Sequence, residues 1–298
     1  MSTTVGFIGL GNMGVPMAAR VASVGWPLVL WNRTASKSES LARDLDCTAA
    51  DTPGQLAERA DVIITMVADD SALQELYLGE PNMLDSLKPE TLCIDMSTIS
   101  PALAVSLAEA LRPRRAHFID APVSGSVAAA SAGELTIMVG GEEEMVEVAR
   151  PLLEAMGSKI FHMGSHGAGA TIKLAVNSII YGLSQALSEA LVLAERAGIS
   201  RSLAYDVFAS SAVAAPFVAY RRDAFLDPDR TPVAFRMELA GKDLDLVLDL
   251  ATEVGAAMSQ AELNREVIRQ SIASGLGDHD MSAVADYLRK SSGIGSQR

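Results

Sequence analysis

Three glycines near the N-terminus constrain the fold of this chain more than any other feature. They form the pattern Gly9-x-Gly11-x-x-Gly14, between the apolar run Val5–Ile8 and a segment with apolar residues at helical spacing. In a strand–turn–helix unit, the first glycine permits a tight turn, the second lets pyrophosphate approach the backbone, and the third lets helix and strand pack closely. The pattern predicts a dinucleotide site at a helix N-terminus. A purely structural glycine turn is the alternative.

The alternation of strands and helices continues through the first half of the chain. Apolar runs that predict strands are Val5–Ile8, Leu28–Trp31, Val62–Val67, Leu92–Asp95, Phe118–Ile119, Leu135–Val139 and Ile160–His162. Helical patterns separate most of them, including a capped helix start at Thr52-Pro53. Such alternation predicts an α/β Rossmann domain with a doubly wound sheet and right-handed crossovers, over residues 1–164.

Strand signals stop after about Gly164. Residues Ala168–Ala197 predict one long helix that is apolar nearly all round, and we expect it to be buried on most faces. Further helices are predicted at Leu203–Ser210, Pro216–Phe225, Phe235–Glu253, Gln260–Ser274 and Met281–Leu288. We therefore expect residues 165–298 to form an all-α domain, joined to the first domain by the long helix of residues 168–197.

The bulk composition narrows the class of partner. A length of 298 residues suits two domains, and a net charge of −13 argues against nucleic acid or an anionic membrane. Cys47 and Cys93 have no metal-like spacing, and Cys93 lies in an apolar strand pattern. We therefore expect reduced thiols and no metal site. The sequence has no basic segment at Met1, and the long helix contains polar residues, so we expect a soluble cytoplasmic protein.

The end of the second strand indicates which dinucleotide binds. NAD-binding proteins place an acidic residue there for the ribose diol, whereas this segment contains none. Arg33 offers a planar, permanently charged fork that suits a 2′-phosphate, and Thr34, Ser36 and Lys37 could add donors. We therefore expect NADP(H) in preference to NAD(H). A solvated surface arginine is the alternative for Arg33.

Two further segments follow predicted strands, where ligands bind in open α/β sheets. Thr98 lies between a strand and a helix start, so it could contact nicotinamide or substrate, or simply cap the helix. Ser124, Gly125 and Ser126 offer hydroxyls and exposed backbone N–H groups that suit a carboxylate. An ordinary turn is the alternative for these three residues.

The long helix carries two polar residues near its start. Lys173 and Asn177 stand at i and i+4, on one face of an otherwise apolar segment. Burial lowers the pKa of a lysine, which suits a group that both gives and takes a proton near neutrality. The alternative is a Lys173 side chain that extends to solvent.

Taken together, these segments resemble the β-hydroxyacid dehydrogenase family over nearly the whole chain. The carrying motifs are GLGNMG, DMSTISP, DAPVSGSVAAASAGELTIMVGG, GAGATIKLAVN and GKDLDL. The family includes 3-hydroxyisobutyrate dehydrogenases and glyoxylate/succinic semialdehyde reductases, and Trp31-Asn32-Arg33-Thr34 is similar to the NADP(H)-using reductase branch. Val176 departs from the K-x-x-N-N pattern that is common on the family's helix.

The resemblance implies roles for particular residues. Lys173 would be the general acid/base, and Asn177 would hold that lysine and the substrate. The implied substrate-binding residues are Thr98, Ser124, Gly125, Ser126, Phe235 and Asp243. The expected cofactor-binding residues are Gly9, Leu10, Gly11, Asn12, Met13, Gly14, Asn32, Arg33, Thr34, Lys37, Met66, Val67, Thr98 and Lys242.

The resemblance also implies an activity and an assembly. It implies hydride transfer between NADP(H) and a small hydroxy or oxo acid, of the succinic semialdehyde, glyoxylate, tartronate semialdehyde or 3-hydroxyisobutyrate type. The helical domain would form a homodimer or homotetramer. Two alternatives stay open on the same fold. One is imine reduction, against which the presence of Lys173 argues, and the other is a non-catalytic NADP(H)-binding redox sensor.

Overall fold

The protein is represented by a computed structural model that describes residues 3–80 and 82–294. Its contacts divide the chain into two compact units, residues 1–173 and 174–298. The first unit has two apolar clusters, one on each face of a sheet, and the second has a single apolar cluster between helices. The domain boundary expected between residues 164 and 165 stays a prediction.

The strands of the first unit form one sheet that follows the predicted alternation. Within the described residues they are β1 Val5–Ile8, β2 Leu28–Trp31, β3 Thr48–Ala49, β4 Val62–Thr65, β5 Leu92–Asp95, β6 His117–Asp120, β7 Val123–Ser124, β8 Leu135–Gly140 and β9 Gly157–Gly164. The order β3-β2-β1-β4-β5-β6 is parallel throughout, as in dinucleotide-binding folds. Strand β8 is antiparallel to β6 and β7 and parallel to β9. The predicted Rossmann class is confirmed.

Helices connect these strands and cover the sheet. Those of the first unit are α1 Gly14–Ser23, α2 Ala35–Asp44, α3 Pro53–Arg59, α4 Asp70–Leu78, α5 Pro101–Leu111, α6 Val127–Ala132 and α7 Glu143–Met156. Alternate strand residues supply opposite cores: Phe7 belongs to one apolar cluster and Ile8 to the other. The same division separates Ile64 from Ile63. The central strands are therefore buried on both faces, which explains their continuous apolar sequences.

The parallel strands end in one aligned row, and this row positions the candidate site. In the register of the sheet, Ile8 pairs with both Trp31 and Thr65, Thr65 pairs with Asp95, and Asp95 pairs with Asp120. These five residues are the last of their strands. The segments that follow them therefore emerge side by side at the carboxyl edge of the sheet, where α/β proteins bind ligands.

The second unit is helical within the described residues. Helix α8, Ala168–Arg196, begins in the first unit and continues into the second, followed by α9 Arg201–Ser210, α10 Pro216–Tyr220, α11 Arg222–Leu226, α12 Met237–Val254, α13 Ser259–Ser271 and α14 Val284–Ser291. Short helical turns occupy Ile272–Leu276 and Met281–Ala283. The all-α expectation is confirmed, but the helix predicted at Pro216–Phe225 is two helices, because the backbone leaves helical geometry at Arg221 (ψ 1°).

Helix α8 is buried or half-buried at most of its positions, as predicted, but one stripe along it is exposed. Its length agrees with the prediction, but Ile179 is 71% exposed and Leu193 is 72% exposed. By length and composition alone this helix could also cross a membrane, and 44% of its most apolar window is buried inside the structure. Core helices of soluble proteins pass the same test, so the composition of α8 does not assign it to a membrane.

Candidate dinucleotide and active site

The glycine turn after β1 is closely packed on one side and open on the other. A Cβ on Gly9 (φ +95°) would lie 2.1 Å from the carbonyl oxygen of Met66, and one on Gly14 would lie 1.9 Å from that of Gly9. A Cβ on Gly11 would meet no atom within 4 Å. The first and third glycines are therefore required by packing, while the second leaves the backbone open to a ligand at the start of α1.

Asn32 connects the end of β2 to this turn. Its Oδ1 accepts a hydrogen bond from the backbone N–H of Leu10 at 2.9 Å, and its Nδ2 donates to the carbonyl oxygen of Thr34 at 3.2 Å. Asn32 therefore holds the glycine turn, a role that the sequence did not indicate. Its contact with a cofactor stays a prediction.

The start of α2 presents cations beside this turn. Arg33 and Lys37 are exposed, and neither forms an ion pair within residues 3–80 and 82–294. Thr34 is the N-cap residue of α2, but its side chain makes no capping hydrogen bond. Two exposed cations and a hydroxyl next to an open glycine turn form a group of donors that suits a phosphate.

A buried carboxyl group orders the ends of β4 and β5. Asp95 is fully buried and accepts hydrogen bonds from Oγ1 of Thr65 at 2.6 Å and Oγ of Ser97 at 2.8 Å. The Ser97 oxygen in turn accepts the backbone N–H of Val67 at 2.9 Å. Burial raises the pKa of Asp95 to about 7, against the opposing effect of these donors. The network ties together the segments that follow β4 and β5, which carry the predicted cofactor residues Val67 and Thr98.

Thr98 is half-buried, and the helix that follows it is capped by another residue. Ser100 is the N-cap of α5, because its Oγ accepts the backbone N–H of Leu103 at 3.2 Å. The backbone N–H of Ser100 donates to Oδ1 of Asp70 at 3.0 Å, which ties this turn to α4. The capping role left open for Thr98 therefore belongs to Ser100, and contact with nicotinamide or substrate stays the prediction for Thr98.

The segment after β6 forms a tight turn with one serine engaged. Ser126 caps α6 by accepting the backbone N–H of Ala129 at 3.1 Å. Gly125 has φ +152°, and a Cβ there would lie 2.8 Å from Leu135. The half-buried Ser124 hydroxyl makes no hydrogen bond in the part of the chain that the structure describes. Ser124 and the N–H groups of the turn are thus better candidates for a carboxylate than the Ser126 oxygen.

The two predicted catalytic residues lie on α8. Lys173 is half-buried in the second turn, and Asn177 is 5% exposed one turn further on. Nδ2 of Asn177 donates to Oδ2 of Asp243 at 2.8 Å. This bond fixes the orientation of the amide, because Nδ2 is committed to the carboxylate and Oδ1 is left as an acceptor.

Asp243 is buried and joins three polar groups. It is 1% exposed, and Oδ2 also accepts the hydroxyl of Tyr181 at 2.6 Å. Burial raises the pKa of Tyr181, and the neighbouring carboxylate adds to the effect, so the phenol stays protonated as a donor. Lys242 Nζ forms an ion pair with Oδ1 at 2.8 Å. Asp243, expected among the substrate-binding residues, therefore orients Asn177, and contact with substrate stays a prediction for it. Tyr181 is a participant that the sequence pattern did not indicate.

The backbone of Phe235 is held by the buried carboxylate of Asp280. Asp280 accepts the backbone N–H groups of Ala234 and Phe235, each at 3.1 Å, and forms a buried ion pair with Arg221 at 3.1 Å. The half-buried Phe235 side chain packs against the core of the second unit. Its backbone is thus fixed just before α12, while its contact with substrate stays a prediction.

The predicted residues fall in both units, and each unit orders its own set. The first carries the glycine turn, the cations of α2, Thr98, the Ser124–Ser126 turn and Lys173. The second carries Phe235, Lys242 and the network of Asn177, Tyr181 and Asp243. An open glycine turn at the start of α1 and a strand order of the dinucleotide-binding type define a dinucleotide-binding protein of the Rossmann class.

Comparison with known proteins gives the family. Residues 4–164 match the family model of the NAD-binding domain of 6-phosphogluconate dehydrogenase. Residues 167–288 match the family model described as NAD-binding of NADP-dependent 3-hydroxyisobutyrate dehydrogenase. A 3-sulfolactaldehyde reductase of Escherichia coli is 34% identical (97% of each chain), and glyoxylate/succinic semialdehyde reductase 1 of Arabidopsis thaliana is 30% identical (96% of this chain, 98% of the relative). This chain belongs to the β-hydroxyacid dehydrogenase family.

A solved structure agrees over the same length. The 3-hydroxyisobutyrate dehydrogenase of Mycobacterium tuberculosis, described with L-serine, has a TM-score of 0.82 and 32% identity, covering 97% of this chain and 100% of its own. The likeness therefore extends over both units, and the fold class of each is that of the family.

Proposed function

We propose that this protein is an NADP(H)-dependent oxidoreductase that transfers a hydride between nicotinamide and a small hydroxy or oxo acid. The observation that carries the proposal is the fixed amide of Asn177, one turn after Lys173 on α8. Asp243 leaves only the carbonyl oxygen of that amide as an acceptor. Such an acceptor suits an ammonium group or a substrate hydroxyl, and a purely non-catalytic binder has no need of it.

Lys173 acts as the general acid/base in this proposal. When bound, the nicotinamide supplies or accepts the hydride. In the reducing direction, Lys173 as ammonium donates a hydrogen bond to the carbonyl oxygen and then a proton to the alkoxide as it develops. In the oxidising direction, neutral Lys173 takes the hydroxyl proton. The Asn177 carbonyl oxygen holds the amine in either direction.

The substrate carboxylate is proposed to bind at the Ser124–Ser126 turn. The Ser124 hydroxyl and the backbone N–H groups of the turn at Gly125 would supply the donors. The named substrates of the relatives share an anionic group a short distance from an aldehyde or hydroxyl carbon. We therefore propose the succinic semialdehyde, glyoxylate, tartronate semialdehyde and 3-hydroxyisobutyrate class as substrates.

Steady-state assays with both cofactors test the proposal. We expect NADPH oxidation with at least one member of a panel of glyoxylate, succinic semialdehyde and tartronate semialdehyde. Butanal serves as the matched control because it resembles succinic semialdehyde without the carboxylate. Its kcat/KM should be lower by about 10- to 100-fold, since the donors at Ser124 would be left unpaired.

Two outcomes would contradict the assignment. Preferential turnover of a cyclic imine would place the protein among imine reductases, and tight NADPH binding without turnover of any panel member would indicate a redox sensor. Butanal reduced as well as succinic semialdehyde would remove the carboxylate site but leave the hydride transfer.

We further propose a cytoplasmic enzyme that assembles through its helical unit into a homodimer or homotetramer. Cys47 and Cys93 are both free thiols, in agreement with a reducing compartment. On α8, Ile179 and Leu193 lie fourteen residues apart, about four turns, on one exposed face. We infer that these exposed apolar side chains are covered by a second copy of the same chain.

Replacing both residues by aspartate (Ile179→Asp with Leu193→Asp) should convert the assembly to monomers in light scattering, because two charges would be buried without partners. Val148→Asp is the matched control, since Val148 is 59% exposed on α7 and has no proposed role. A double variant with the mass of the wild-type assembly would contradict the interface.

A further inference from the structure

We propose that Asp120 is a positioning residue that sets the location of the helix carrying Lys173, an inference that rests on the proposed function. Oδ1 of Asp120 accepts the backbone N–H of Gly167 at 2.8 Å, and Oδ2 accepts that of Ala170 at 2.8 Å. The side chain is 1% exposed. One carboxylate therefore satisfies two of the N–H groups that a helix N-terminus leaves without partners.

This cap comes from the sheet rather than from the residue before the helix. Asp120 is the last residue of β6, 47 and 50 positions before its two donors. An ordinary N-cap residue stabilises only its own helix. Asp120 instead ties the start of α8 to the strand row that also bears the glycine turn and Thr98. The connection is a tertiary one, between the dinucleotide-binding edge and the catalytic helix.

The space around the carboxylate is built for this contact. A Cβ on Gly140, which pairs with Asp120 across β6 and β8, would lie 2.6 and 2.8 Å from the two carboxylate oxygens. A Cβ on Gly169 would lie 2.4 Å from the carbonyl oxygen of Met138 and 2.9 Å from Oδ2 of Asp120. Both glycines are therefore needed for the helix to approach the sheet so closely.

The charge of Asp120 also suits its place. Burial raises its pKa, and the hydrogen bonds from Gly167 and Ala170 oppose that rise. A carboxylate is favoured at the positive end of a helix dipole, so the ionised form strengthens the attachment. In the ionised form, the bond between helix and sheet is charge-assisted.

Lys173 follows Ala170 by three residues, about 4.5 Å along the helix axis. Any slide or rotation of the first turn of α8 relative to the sheet therefore passes directly to the Lys173 backbone. Displacing a catalytic group by about 1 Å can cost about 10²-fold in rate. Asp120 would accordingly influence the proton-transfer step without contacting substrate or cofactor.

Asp120→Asn is the direct test. The amide keeps the size of the side chain, but whichever way it turns, its NH2 faces one of the two N–H donors. We expect kcat to fall by about tenfold or more, with KM for NADPH within about twofold of wild type. The primary isotope effect with 4-deuterated NADPH should rise as the chemical step becomes limiting. A role confined to stability would leave both kcat at low temperature and the isotope effect unchanged.

Thr52→Ala is the matched control for stability. Thr52 caps α3 by accepting the backbone N–H of Gln55 at 3.1 Å, and α3 carries no assigned site residue. This variant loses a helix cap and should retain kcat within about twofold. If Asp120→Asn does not fold, Gly140→Ala provides the second test, because its methyl group would displace the carboxylate while Asp120 itself remains.

The outcomes separate this inference from the proposed function. A wild-type kcat and a wild-type isotope effect in Asp120→Asn would overturn the positioning role. The same result in Gly140→Ala would overturn it if Asp120→Asn does not fold. If Lys173→Ala measured alongside is inactive, the proposed function survives that result. If Lys173→Ala also retains full activity, the general acid/base role of Lys173 fails as well, while the hydride transfer itself stands.

Discussion

Lys173→Ala is expected to lower kcat by about 10²- to 10⁴-fold while the Kd for NADPH stays within about twofold of wild type. The alkoxide that develops on reduction needs a proton, and in this variant only water can supply it. The cofactor residues proposed around the glycine turn and Arg33 are unchanged by the substitution. The loss should therefore appear in the chemical step and not in dinucleotide binding, as measured by kinetics and by NADPH fluorescence titration.

Lys159→Ala is the matched control, because Lys159 is exposed on β9 and has no proposed role. It should behave as wild type. Small primary amines added to Lys173→Ala should restore part of the activity, since they can replace the missing proton donor. A Lys173→Ala protein with wild-type kcat would refute the general acid/base role.

Arg33→Ala should raise KM for NADPH by about 10- to 100-fold and leave KM for NADH within about twofold. The estimate follows from losing charge-assisted hydrogen bonds to a phosphate, worth about 1.5–3 kcal/mol. Only NADPH carries that phosphate, so the ratio of the two KM values is the sensitive quantity. Steady-state kinetics with each cofactor at a saturating oxo acid measures it.

Arg43→Ala provides the control for this experiment. Arg43 is exposed in the last turn of α2, and Arg33 lies just before the start of the same helix. The substitution Arg43→Ala therefore removes one positive charge without changing the end of the strand. The variant should leave the cofactor ratio unchanged. An unchanged ratio in Arg33→Ala would show that this arginine is a solvated surface residue, which was the alternative from the sequence.

Much of the first unit could be predicted because its strands are buried on both faces. Strands β2 and β5 have the predicted bounds, Leu28–Trp31 and Leu92–Asp95, since each is a short continuous apolar run. The strand predicted at Val62–Val67 ends at Thr65, because Val67 turns away to bond with Ser97. Burial on both faces produces the apolar sequence of a strand, whereas tertiary contacts determine the residue at which the strand ends.

Helices and strands with little buried apolar surface could not be predicted from the sequence. Helix α2 buries only Ser38 and Ala42, and no helix was predicted there. Strands β3 and β7 have two residues each and exist through pairing with neighbours, which local sequence does not encode. The exposed residues of α8 were not predicted either, because an apolar sequence alone does not distinguish a buried helix face from an exposed one.

In the candidate site, too, features set by local sequence could be predicted and features set by tertiary contacts could not. The glycine turn and Arg33 could be placed because their chemistry follows directly from a strand and a helix start. Asp120 could not be linked to α8, because its partners are 47 and 50 residues away. Asp243 offered an overlooked signal: it lies between buried Ala240, Leu244 and Val247 on α12, and a carboxylate on such a face needs polar partners.

The most direct test of the central claim is to follow the hydrogen itself. Each oxo acid of the panel (glyoxylate, succinic semialdehyde and tartronate semialdehyde) is incubated with NADPH deuterated at either the 4R or the 4S position, and the hydroxy acid is analysed by mass spectrometry. Direct hydride transfer predicts one deuterium on the former carbonyl carbon from one of the two forms and none from the other. A hydroxy acid without deuterium from both forms, or no hydroxy acid at all, would contradict the proposed function.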